Sequence, residues 1–392
     1  MLKGKTVYIP PMGYDSARAL AAAFRAVGLC AEPLPPSDEQ TREVSGRYAS
    51  GDECLPFQIL TGDVMKLFEG GDVDPGQSAF LLPASLGPCR FSSFVSDLRE
   101  ILERSGYGQA EVFAPNLSNG HKDLGELGAE GIRIAWLALV SANILQKLLL
   151  LHRPYERVKG EADKAYEDAL QDLCARIEFA PPLERVERIL SSLFRGRDRF
   201  GTISMREEYP TPLVGIVGEP FCRFNTLLNN DLIRQLEDRG GQAWLTGLLG
   251  EVRSYVRTLA GLEGKLSRDE TALMEVLRDD LAKYSDPDTG EALKYAQPYL
   301  PIESGSAGVA LRLGQVVHMA RQGVDGIIDA SPFPCMNGSA CAAFYPKLSR
   351  DLGGLPIRNF YFHGVKRDWT AQLDEYLGVV RAYREHKGEK RN

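Results

Sequence analysis

Short apolar runs alternate with amphipathic segments between Thr6 and Ser105. The apolar runs have the length of strands and cover Thr6–Pro10, Ala31–Leu34 and Ala79–Leu82. Apolar residues recur at helical spacing over Asp15–Val27, Leu55–Glu69 and Phe91–Ser105. Alternating β and α segments are typical of parallel sheets that helices cover on both faces. The pattern therefore predicts an α/β unit in this part of the chain.

The pattern changes in the middle of the chain and then returns to alternation. Helical spacing predicts three successive helices, Gly131–Arg153, Glu161–Ile177 and Pro182–Phe194. Strand-length runs recur at Pro212–Val217, Gly326–Asp329 and Ile357–Phe362, with helices predicted at Asn229–Arg239, at Ala307–Gln322 and after Ser339. A helix-rich stretch, Leu248–Tyr284, separates the first two of these runs.

These segments predict an α/β protein with two or more Rossmann-like parallel-sheet domains and helical insertions. The predicted boundaries are residues 1–130 for the first α/β domain, 131–210 for a helical linker or subdomain, and 211–392 for the second α/β domain, with a helical insertion at about 248–300. A tripeptide echo supports two related halves. Cys89-Arg90-Phe91 starts a predicted helix that ends at Gly106, and Cys222-Arg223-Phe224 starts one that ends at Gly240.

Composition narrows the class of protein. The chain has 392 residues, of which 44% are hydrophobic and 25% charged, and these values exclude a disordered or collagen-like chain. The 53 acidic residues exceed the 46 basic ones, and no basic block provides a nucleic-acid footprint. The most apolar stretch, Ile134–Leu151, includes Asn143 and Lys147, which favours a buried core helix over a membrane span.

Cysteine usage indicates a reducing compartment. Seven cysteines are too few, in a chain of this length, for a secreted disulfide framework. The first residues lead into a strand-like run and not into the apolar segment of a signal peptide. We therefore expect a cytoplasmic protein with reduced thiols.

Five of the cysteines lie where α/β folds build their sites. Cys89, Cys222 and Cys335 each follow an apolar strand and a proline-containing loop, and ligands of open parallel sheets bind outside the carboxyl ends of strands. Cys54 and Cys341 lie at predicted helix starts, where partial positive charge and free N–H groups favour thiolates. Thiolates in such positions suit an iron–sulfur cluster.

Other roles for the cysteines stay open at this point. Cys174 lies on an apolar-periodic helix and Cys30 starts a strand, so we expect both to be packing residues. Zinc competes as the metal, although the chain has no Cys-x-x-Cys pair of the kind that structural zinc sites use. A single nucleophilic cysteine is a third role, but no histidine is placed by the sequence beside a thiol.

Four short motifs, in order along the chain, carry a resemblance to a known family. They are Glu53-Cys54-Leu55-Pro56-Phe57, Leu86-Gly87-Pro88-Cys89-Arg90-Phe91, Arg153-Pro154-Tyr155-Glu156 and Pro332-Phe333-Pro334-Cys335-Met336-Asn337-Gly338. With them the chain resembles the 2-hydroxyacyl-CoA dehydratase activase-related family, from about residue 5 to residue 383. That family is similar to the cluster-bearing subunits of 2-hydroxyacyl-CoA dehydratases and benzoyl-CoA reductases, and to double-cubane cluster proteins.

The resemblance implies Rossmann-like domains with an iron–sulfur cluster between them, and Cys54, Cys89 and Cys335 match the family's cysteines. It also implies a partner, an ATP-hydrolysing activase-type reductase of the sugar-kinase/actin type that delivers low-potential electrons. This chain has no recognisable nucleotide-phosphate motif of that type, so we expect it to be the electron acceptor. A CoA thioester as the substrate is suggested by the resemblance alone.

Two cluster types are compatible with the cysteines. Three thiolates would hold one 4Fe–4S cluster with an open iron, which binds a substrate oxygen while passing an electron. An 8Fe–9S double cubane needs more thiolates than the well-placed ones, which are Cys54, Cys89, Cys222, Cys335 and Cys341. We therefore prefer the single cubane.

Polar residues beside these ligands are candidates for catalytic roles. Arg90 and Arg223 directly follow cysteines, where they would neutralise cluster charge or bind an anionic substrate, or else cap their own domain. Candidate proton donors or hydrogen-bond partners are Glu53, Glu219 and Ser331.

The preferred hypothesis is an iron–sulfur redox protein that accepts electrons from the activase and drives a difficult reduction or dehydration of a small molecule. The alternatives are a non-catalytic iron–sulfur carrier or assembly protein and a zinc-stabilised scaffold module. An oligomer is compatible with the preferred hypothesis, because a cluster between domains often lies near a subunit contact.

Overall fold

The computed structural model describes residues 2, 4–83, 89–115, 127–206, 211–248, 263–276, 282–301 and 307–389. The chain divides into two compact units. The first unit comprises Met1–Leu145, Tyr166–Arg199 and Glu251–Leu277, and the second comprises Gln146–Ala165, Phe200–Gly250 and Arg278–Asn392.

Strands and helices alternate along the described residues. The strands are β1 (Thr6–Ile9), β2 (Cys30–Pro33), β3 (Ser78–Leu81), β4 (Glu111–Phe113), β5 (Leu213–Gly218), β6 (Gln242–Leu245), β7 (Gly326–Pro332) and β8 (Ile357–Phe362). The α-helices are α1 (Tyr14–Arg25), α2 (Glu39–Tyr48), α3 (Leu55–Glu69), α4 (Phe94–Arg104), α5 (Gly128–His152), α6 (Glu161–Phe179), α7 (Arg185–Gly201), α8 (Pro220–Phe224), α9 (Thr226–Asn229), α10 (Leu232–Glu237), α11 (Glu263–Val276), α12 (Thr289–Ala296), α13 (Ala307–Arg321), α14 (Met336–Asp351) and α15 (Thr370–Glu389). Short 3-10 helices cover Pro75–Gln77, Arg90–Ser93, Arg153–Tyr155 and Ala282–Tyr284.

The described strands of the first unit form a parallel sheet in the order β2-β1-β3-β4. Val7 of β1 lies in register with Ala31 of β2 and Ala79 of β3, and all three are buried. Ala17 and Ala21 of α1 pack into the same core. Their small side chains let this helix lie close to the sheet, as helix-covered parallel sheets require.

The described strands of the second unit form another parallel sheet, in the order β6-β5-β7-β8. The central strands β5 and β7 are buried along their whole length, so their apolar residues do not alternate with exposed polar ones. Gly218 has φ of +137°, and a Cβ there would lie 2.0 Å from the carbonyl oxygen of Ala330, so only glycine fits. Two helix-flanked parallel sheets confirm the predicted α/β, Rossmann-like fold.

The two sheets have the same strand order, but the tripeptide echo does not mark equivalent positions in them. In chain order, Cys89 follows β3, the third strand of the first sheet, whereas Cys222 follows β5, the first strand of the second sheet. The position equivalent to Cys89 is Cys335, which follows β7. The two halves therefore resemble each other in sheet topology, and the repeated Cys-Arg-Phe does not lie at equivalent positions in them.

The segment after Cys222 departs from the single helix that its spacing predicts. It forms three short helices, α8, α9 and α10. The side chains of Asn225 and Asn229 accept hydrogen bonds from Leu228 N and Leu232 N, and each bond caps a new turn. Asn230 and Asp231 then adopt positive φ values, which end α9 before α10 begins.

Several elements carry little periodicity and are not predicted by the sequence pattern. Strands β4 and β6 span three and four residues, too few for a pattern to emerge. Helix α2 has Val44 as its one strongly apolar buried residue, and a capping box between Asp38 and Thr41 defines its start. The sequence pattern does not predict helix α15 either. In the predicted insertion at about 248–300, residues 249–262 and 277–281 lie outside the described residues.

Helix α5 is long and apolar enough, together with the turn after it, to cross a membrane. In the candidate span, Gly128–Tyr155, 83% of the most apolar 18-residue window is buried inside the protein. A membrane span would expose that surface to lipid, whereas a core helix buries it against protein. The structure therefore agrees with the prediction of a buried core helix.

Candidate functional site

The carboxyl ends of β5 and β7 lie side by side in the second sheet, where the strand order changes direction. Glu219 leaves the end of β5 and begins the turn into α8, while Cys335 follows β7 and begins α14. Ligands of doubly wound folds bind at such a switch point, outside the carboxyl ends of the strands. This edge holds several of the residues that the sequence singles out.

Cys335 is the N-cap residue of α14, and its side chain is buried. Its Sγ atom accepts a hydrogen bond from the backbone N–H of Gly338, with N and S 3.3 Å apart. Burial raises the pKa of the Cys335 thiol, while the guanidinium of Arg312 and the N–H of Gly338 offset part of that rise. The sulfur thus lies where a negative charge on it is stabilised by a donor and a cation.

Gly338 allows the first turn of α14 to pack directly on β7. A Cβ at this position would lie 2.8 Å from the Oγ and 2.9 Å from the Cβ of Ser331. Ser331 is fully buried, so the contact has no room for a methyl group. The glycine of the Pro-Phe-Pro-Cys-Met-Asn-Gly motif therefore keeps Cys335 close to the end of the strand.

A buried ionic network lies beneath Cys335. Arg312 of α13 donates to both carboxylate oxygens of Asp329, at 3.3 and 3.4 Å, and to the Ser331 hydroxyl at 3.1 Å. Ser331 and Tyr345 also donate their hydroxyl hydrogens to Asp329. All four side chains are buried, so the cation and the carboxylate compensate each other within the core. Ser331 is thus a member of this network.

The other two candidate ligands of the second unit are fully buried. The thiol of Cys341 lies 3.9 Å from the carbonyl oxygen of Val309, and burial raises its pKa to about 12. Cys222 lies inside α8, and its carbonyl oxygen accepts a hydrogen bond from Nδ2 of Asn229. Both positions are typical of small packing residues, in contrast to Cys335.

Two further candidates of the second unit stabilise the loops after β5 and β6. Arg223 is buried and its Nη1 donates to the carbonyl oxygen of Thr246 at 2.7 Å, just beyond β6. The carboxylate of Glu219 accepts from the backbone N–H of Cys222 and caps α8. Burial raises the pKa of Glu219, and the Cys222 N–H opposes this rise. These contacts identify Arg223 as a residue that clamps its own unit.

In the first unit, the segments that carry Cys54 and Cys89 are joined. Cys54 is the N-cap of α3, and Cys89 is the residue before the 3-10 helix Arg90–Ser93. The guanidinium of Arg90 donates to the carbonyl oxygen of Asp52, two residues before Cys54. Both thiols are partly exposed. The residues Leu86, Gly87 and Pro88 of the second motif lie outside the described part of the chain.

Aromatic packing reinforces this junction between the two segments. The rings of Phe57, in the first turn of α3, and Phe94, at the start of α4, have centroids 5.0 Å apart. Phe91, in the 3-10 helix, packs against Phe94 at the same separation. These contacts, together with the bond of Arg90, bring the helix starts that carry Cys54 and Cys89 together.

Glu53 shapes the turn before Cys54. Its carboxylate accepts from the backbone N–H groups of Ser50 and Gly51, at 2.8 and 2.9 Å. Although partial burial opposes the effect, these hydrogen bonds hold the pKa of Glu53 below its ordinary value. A carboxylate held ionised in this way acts as a turn-forming acceptor and is a poor proton donor.

The Arg-Pro-Tyr-Glu motif builds contacts within the second unit. Arg153 forms a bidentate pair with Glu237 of α10, at 2.6 and 3.0 Å. The Tyr155 hydroxyl donates to Gln242 Oε1 at 3.0 Å. The Glu156 carboxylate accepts from the N–H of Gly160 and the N–H of Ala162, at the start of α6. The motif therefore has a structural explanation that does not involve the thiols.

The two cysteines expected to be packing residues differ from each other. Cys30 is exposed on the edge strand β2, where its neighbour Ala31 is the buried residue, so the packing role predicted for Cys30 is wrong. Cys174 is partly buried on α6, and burial raises the pKa of its thiol to about 11. A neutral, half-buried thiol agrees with packing.

A metal cluster needs several donor side chains close together. Among the described residues, no three His, Cys, Asp or Glu side chains are grouped closely enough to hold a metal ion. The individual donors do fit thiolate ligation: Cys335 has an N–H···S bond and a nearby cation, and Cys54 and Cys89 lie on joined helix starts.

Three central residues of the site were not found by sequence reasoning. Arg312, Asp329 and Tyr345 form the ionic network under Cys335. A charged residue inside an apolar element is the sequence feature that indicates such residues. Asp329 ends the apolar run of β7, and Arg312 lies in the apolar face of α13. Buried charges of this kind occur in pairs and cluster at functional sites.

Comparisons with known proteins identify no family. No family model matches the chain, and no curated protein matches it significantly. The resemblance described above therefore rests on its four motifs.

Proposed function

We propose that this chain is a cytoplasmic iron–sulfur redox protein. It accepts low-potential electrons from an ATP-dependent activase-type reductase of the sugar-kinase/actin type, and it drives a difficult reduction or dehydration of a small molecule. Cys54, Cys89 and Cys335 are the proposed ligands. A single 4Fe–4S cluster is preferred over an 8Fe–9S double cubane, since Cys222 and Cys341 are fully buried.

The observation that carries the proposal is the environment of Cys335. At the carboxyl edge of a parallel sheet, an N–H donor at 3.3 Å and the charge of Arg312 both oppose the rise in pKa that burial gives the Cys335 thiol. Hydrogen bonds to sulfur and the local charge are the means by which proteins adjust iron–sulfur clusters. A cysteine retained only for packing needs neither of these neighbours.

The first unit supports the proposal through a pair of thiols. Cys54 and Cys89 are partly exposed and lie on helix starts that Arg90 and a set of phenylalanines hold together. Solvent-accessible thiols at such starts are available to a metal. The pairing explains why two motifs far apart in sequence each contain a cysteine.

The residues of the chain have defined tasks in this proposal. A bound cluster would supply a low-potential electron and an iron that accepts an oxygen ligand. Gly338 holds Cys335 in place and donates to its sulfur. Arg312 offsets negative charge at that sulfur. Asp329 holds the guanidinium in its buried position, and the Tyr345 hydroxyl donates to Asp329.

The number and spacing of the cysteines are compatible with a cytoplasmic location. All seven cysteines are free of disulfide bonds, including the exposed Cys30. Free thiols are maintained in reducing compartments. A reducing, anaerobic environment is also the one in which low-potential clusters persist.

Anaerobic purification followed by iron, sulfide and zinc analysis tests the proposal. About four irons and four sulfides per chain support one cubane, and about eight irons support the double cubane. Serine variants of Cys54, Cys89 and Cys335 should each lose iron and sulfide, while Cys30→Ser, a matched change at an exposed thiol, should keep both. Zinc without sulfide, or a spectrum that survives the loss of both Cys89 and Cys335, contradicts the proposal.

The carrier alternative differs in turnover. An enzyme consumes electrons from a reducing partner and ATP only when a substrate is present, whereas a carrier passes its electron to another protein without chemistry. Measuring ATP hydrolysis and substrate conversion with the loaded chain separates the two functions.

A further inference from the structure

Two loops at the carboxyl edge of the second sheet carry exposed apolar side chains. One runs from β7 into the first residue of α14 and contains Phe333 and Met336, which are 55% and 45% exposed. The other follows β8 and contains Val365, which is 65% exposed. Nine large hydrophobic side chains are exposed among the described residues, so these two short loops hold three of the nine. Exposed apolar residues that are concentrated in this way mark interaction surfaces.

Backbone pairing holds the two loops side by side. Strands β7 and β8 are paired as far as Pro332 and Phe362, and the N–H of Phe333 donates to the carbonyl oxygen of Phe362 at 2.9 Å. Beyond this bond, the ring centroids of Phe333 and His363 lie 5.1 Å apart. The apolar side chains of both loops therefore belong to one continuous surface.

The loop after β8 adds positive charge to this surface. Lys366 and Arg367 are exposed, and within the described residues neither is in an ion pair. The guanidinium carbon of Arg367 lies 4.7 Å from the centre of the Trp369 ring, which is buried against the end of β8. This cation–π contact fixes where the charge of Arg367 is presented.

The acidic residues nearby in the chain are engaged elsewhere. Asp368 accepts a hydrogen bond from a backbone N–H at the start of α15. Glu375 of α15 is paired with Arg358. Asp374, on the same helix, is paired with Arg239. The two cations of the loop therefore remain available for a partner, in a chain whose net charge is −7.

The size and charge of this surface favour one class of ligand. Side chains that are about half exposed project from the protein, whereas the walls of a small-molecule pocket are concave and largely buried. One Lys and one Arg are too few for a membrane surface, where basic clusters contain about four to eight such residues. They are also too few for nucleic acid, whose binding depends on many phosphate contacts. A small apolar patch beside two cations fits the acidic face of another protein.

We infer that the two loops form a docking surface for the acidic face of an electron-donating partner protein. This surface, the edge surface, consists of Phe333, Met336, Val365, Lys366 and Arg367. The inference rests on the proposed function, in which Cys335 is a cluster ligand. Cys335 lies between Phe333 and Met336 in the chain, so a donor bound at the edge surface is next to the ligand that it serves. Electron-transfer complexes use small interfaces, in agreement with the size of this surface.

The two kinds of residue have different tasks in docking. The apolar side chains form the centre of the interface, where they lose contact with water and thereby stabilise the complex. The cations lie at its rim, where they attract the carboxylates of the partner and orient the encounter. Salt screens charges at a solvated rim, so the affinity should fall as the ionic strength rises.

Isothermal titration calorimetry with oxidised flavodoxin, an acidic electron-transfer protein, tests the inference on the full chain as purified. Saturable binding is expected, and its Kd should rise at least about tenfold when NaCl increases from about 20 to about 300 mM. The double variant Lys366→Glu, Arg367→Glu should weaken binding at least about tenfold at the lower salt concentration. Arg350→Glu, a matched change at an exposed residue at the far end of α14, should leave the Kd within about twofold.

The apolar centre is tested by a second pair of variants. Val365→Ser should raise the Kd at least about threefold without changing its dependence on salt, because it removes buried apolar area and no charge. Val379→Ser changes a valine of α15 that is 54% exposed and lies outside the edge surface, so the Kd should not change. Thermal unfolding checks that all variants are folded.

Several results overturn the inference. They are the absence of saturable binding with a Kd below about 1 mM, binding that the double variant retains, and binding that does not depend on salt. Binding of the wild type, but not of the double variant, to vesicles with about 30% phosphatidylglycerol would assign the edge surface to a membrane instead.

Iron and sulfide analysis decides the proposed function separately. A chain that holds iron and sulfide but does not bind flavodoxin retains the proposed function and has no docking role for the edge surface. A chain that binds flavodoxin through the edge surface but holds neither iron nor sulfide has a protein-binding surface without electron delivery, which overturns the assignment of the partner.

Discussion

The backbone N–H of Gly338 donates a hydrogen bond to the Sγ atom of Cys335, with N and S 3.3 Å apart. This bond exists because the first turn of α14 lies directly against Ser331, where no Cβ fits at position 338. The close packing of Gly338 therefore fixes the position of Cys335. Together the two residues of the fourth motif place one thiol at the edge of the second sheet.

Gly338→Ala should disturb this arrangement of Gly338 and Cys335. The added methyl group meets the Oγ and Cβ atoms of Ser331, so the helix start must shift, at a cost of about 1–3 kcal/mol in the free energy of unfolding. Denaturant unfolding measures this loss. In a cluster-loaded protein the same variant should bind less iron than wild type.

Gly378→Ala is the matched control for that variant. This glycine lies within α15 and a Cβ there meets nothing within 4 Å. Alanine favours the helix over glycine, so the free energy of unfolding should rise by about 0.5–1 kcal/mol. A loss of stability at Gly378 equal to that at Gly338 would show that packing against Ser331 is not the cause.

Asp63 makes the stability of the first unit depend on pH. It is buried on α3 and accepts from the hydroxyls of Ser37 and Thr41, at 2.7 and 2.8 Å. Burial raises its pKa from 3.8 to about 6. Between these values the folded chain keeps a proton that the unfolded chain has lost, so the free energy of unfolding falls as pH rises, by about 3 kcal/mol in total.

Asp63→Asn should flatten the stability curve between pH 4 and 6, as measured by denaturant unfolding at each pH. Asp38 is the control, because its effect on the pH dependence of stability has the opposite sign. Although slight burial opposes it, Lys66 and Thr41 hold the pKa of Asp38 below its ordinary value, so its contribution is lost on acidification. An unchanged slope in the Asp63 variant would mean that Asp63 is not the titrating group.

Arg153 should be required for stability and not for metal content. It forms a bidentate pair with Glu237, and both side chains are at most 10% exposed. Arg153→Ala leaves the buried carboxylate without its partner and should cost about 3 kcal/mol in the free energy of unfolding. Lys159→Ala, which breaks an exposed pair with Asp238, should cost at most about 1 kcal/mol.

Iron analysis separates the two roles of the Arg-Pro-Tyr-Glu motif. If the folded fraction of the Arg153→Ala protein binds as much iron as wild type, the motif is structural. A folded protein that has lost its iron would instead assign the motif to the metal site.

Arg223→Lys distinguishes a clamp from a catalytic arginine. Lysine keeps the charge but cannot reproduce the guanidinium contacts with Thr246, so a loss of about 2 kcal/mol in unfolding free energy is expected. Arg90→Lys, at an exposed position that also donates to a carbonyl oxygen, should cost less. Thermal and denaturant unfolding of both variants measure the difference. A fall in activity without a change in stability for Arg223→Lys would contradict the clamp.

Much of the fold was predictable because its signals are local. The runs at Thr6–Pro10 and Ile357–Phe362 became strands within one residue of their predicted ends. Elements with weak local signals were not predictable. Strand β4 is too short to show a pattern of apolar residues, and α2 depends on a capping box more than on an apolar face. The repeated Cys-Arg-Phe was misleading because a tripeptide carries no information about which strand precedes it.

The sequence by itself determined the alternation of strands and helices, and with it the position of Cys335 after a strand and before a helix. Both follow from periodicity and from turn residues close in the chain. Only the tertiary structure showed that Arg312 lies under Cys335, that Arg223 is buried as a clamp, and that Cys30 faces outward. These outcomes depend on sheet register and on how helices cross the strands, which contacts between distant residues decide.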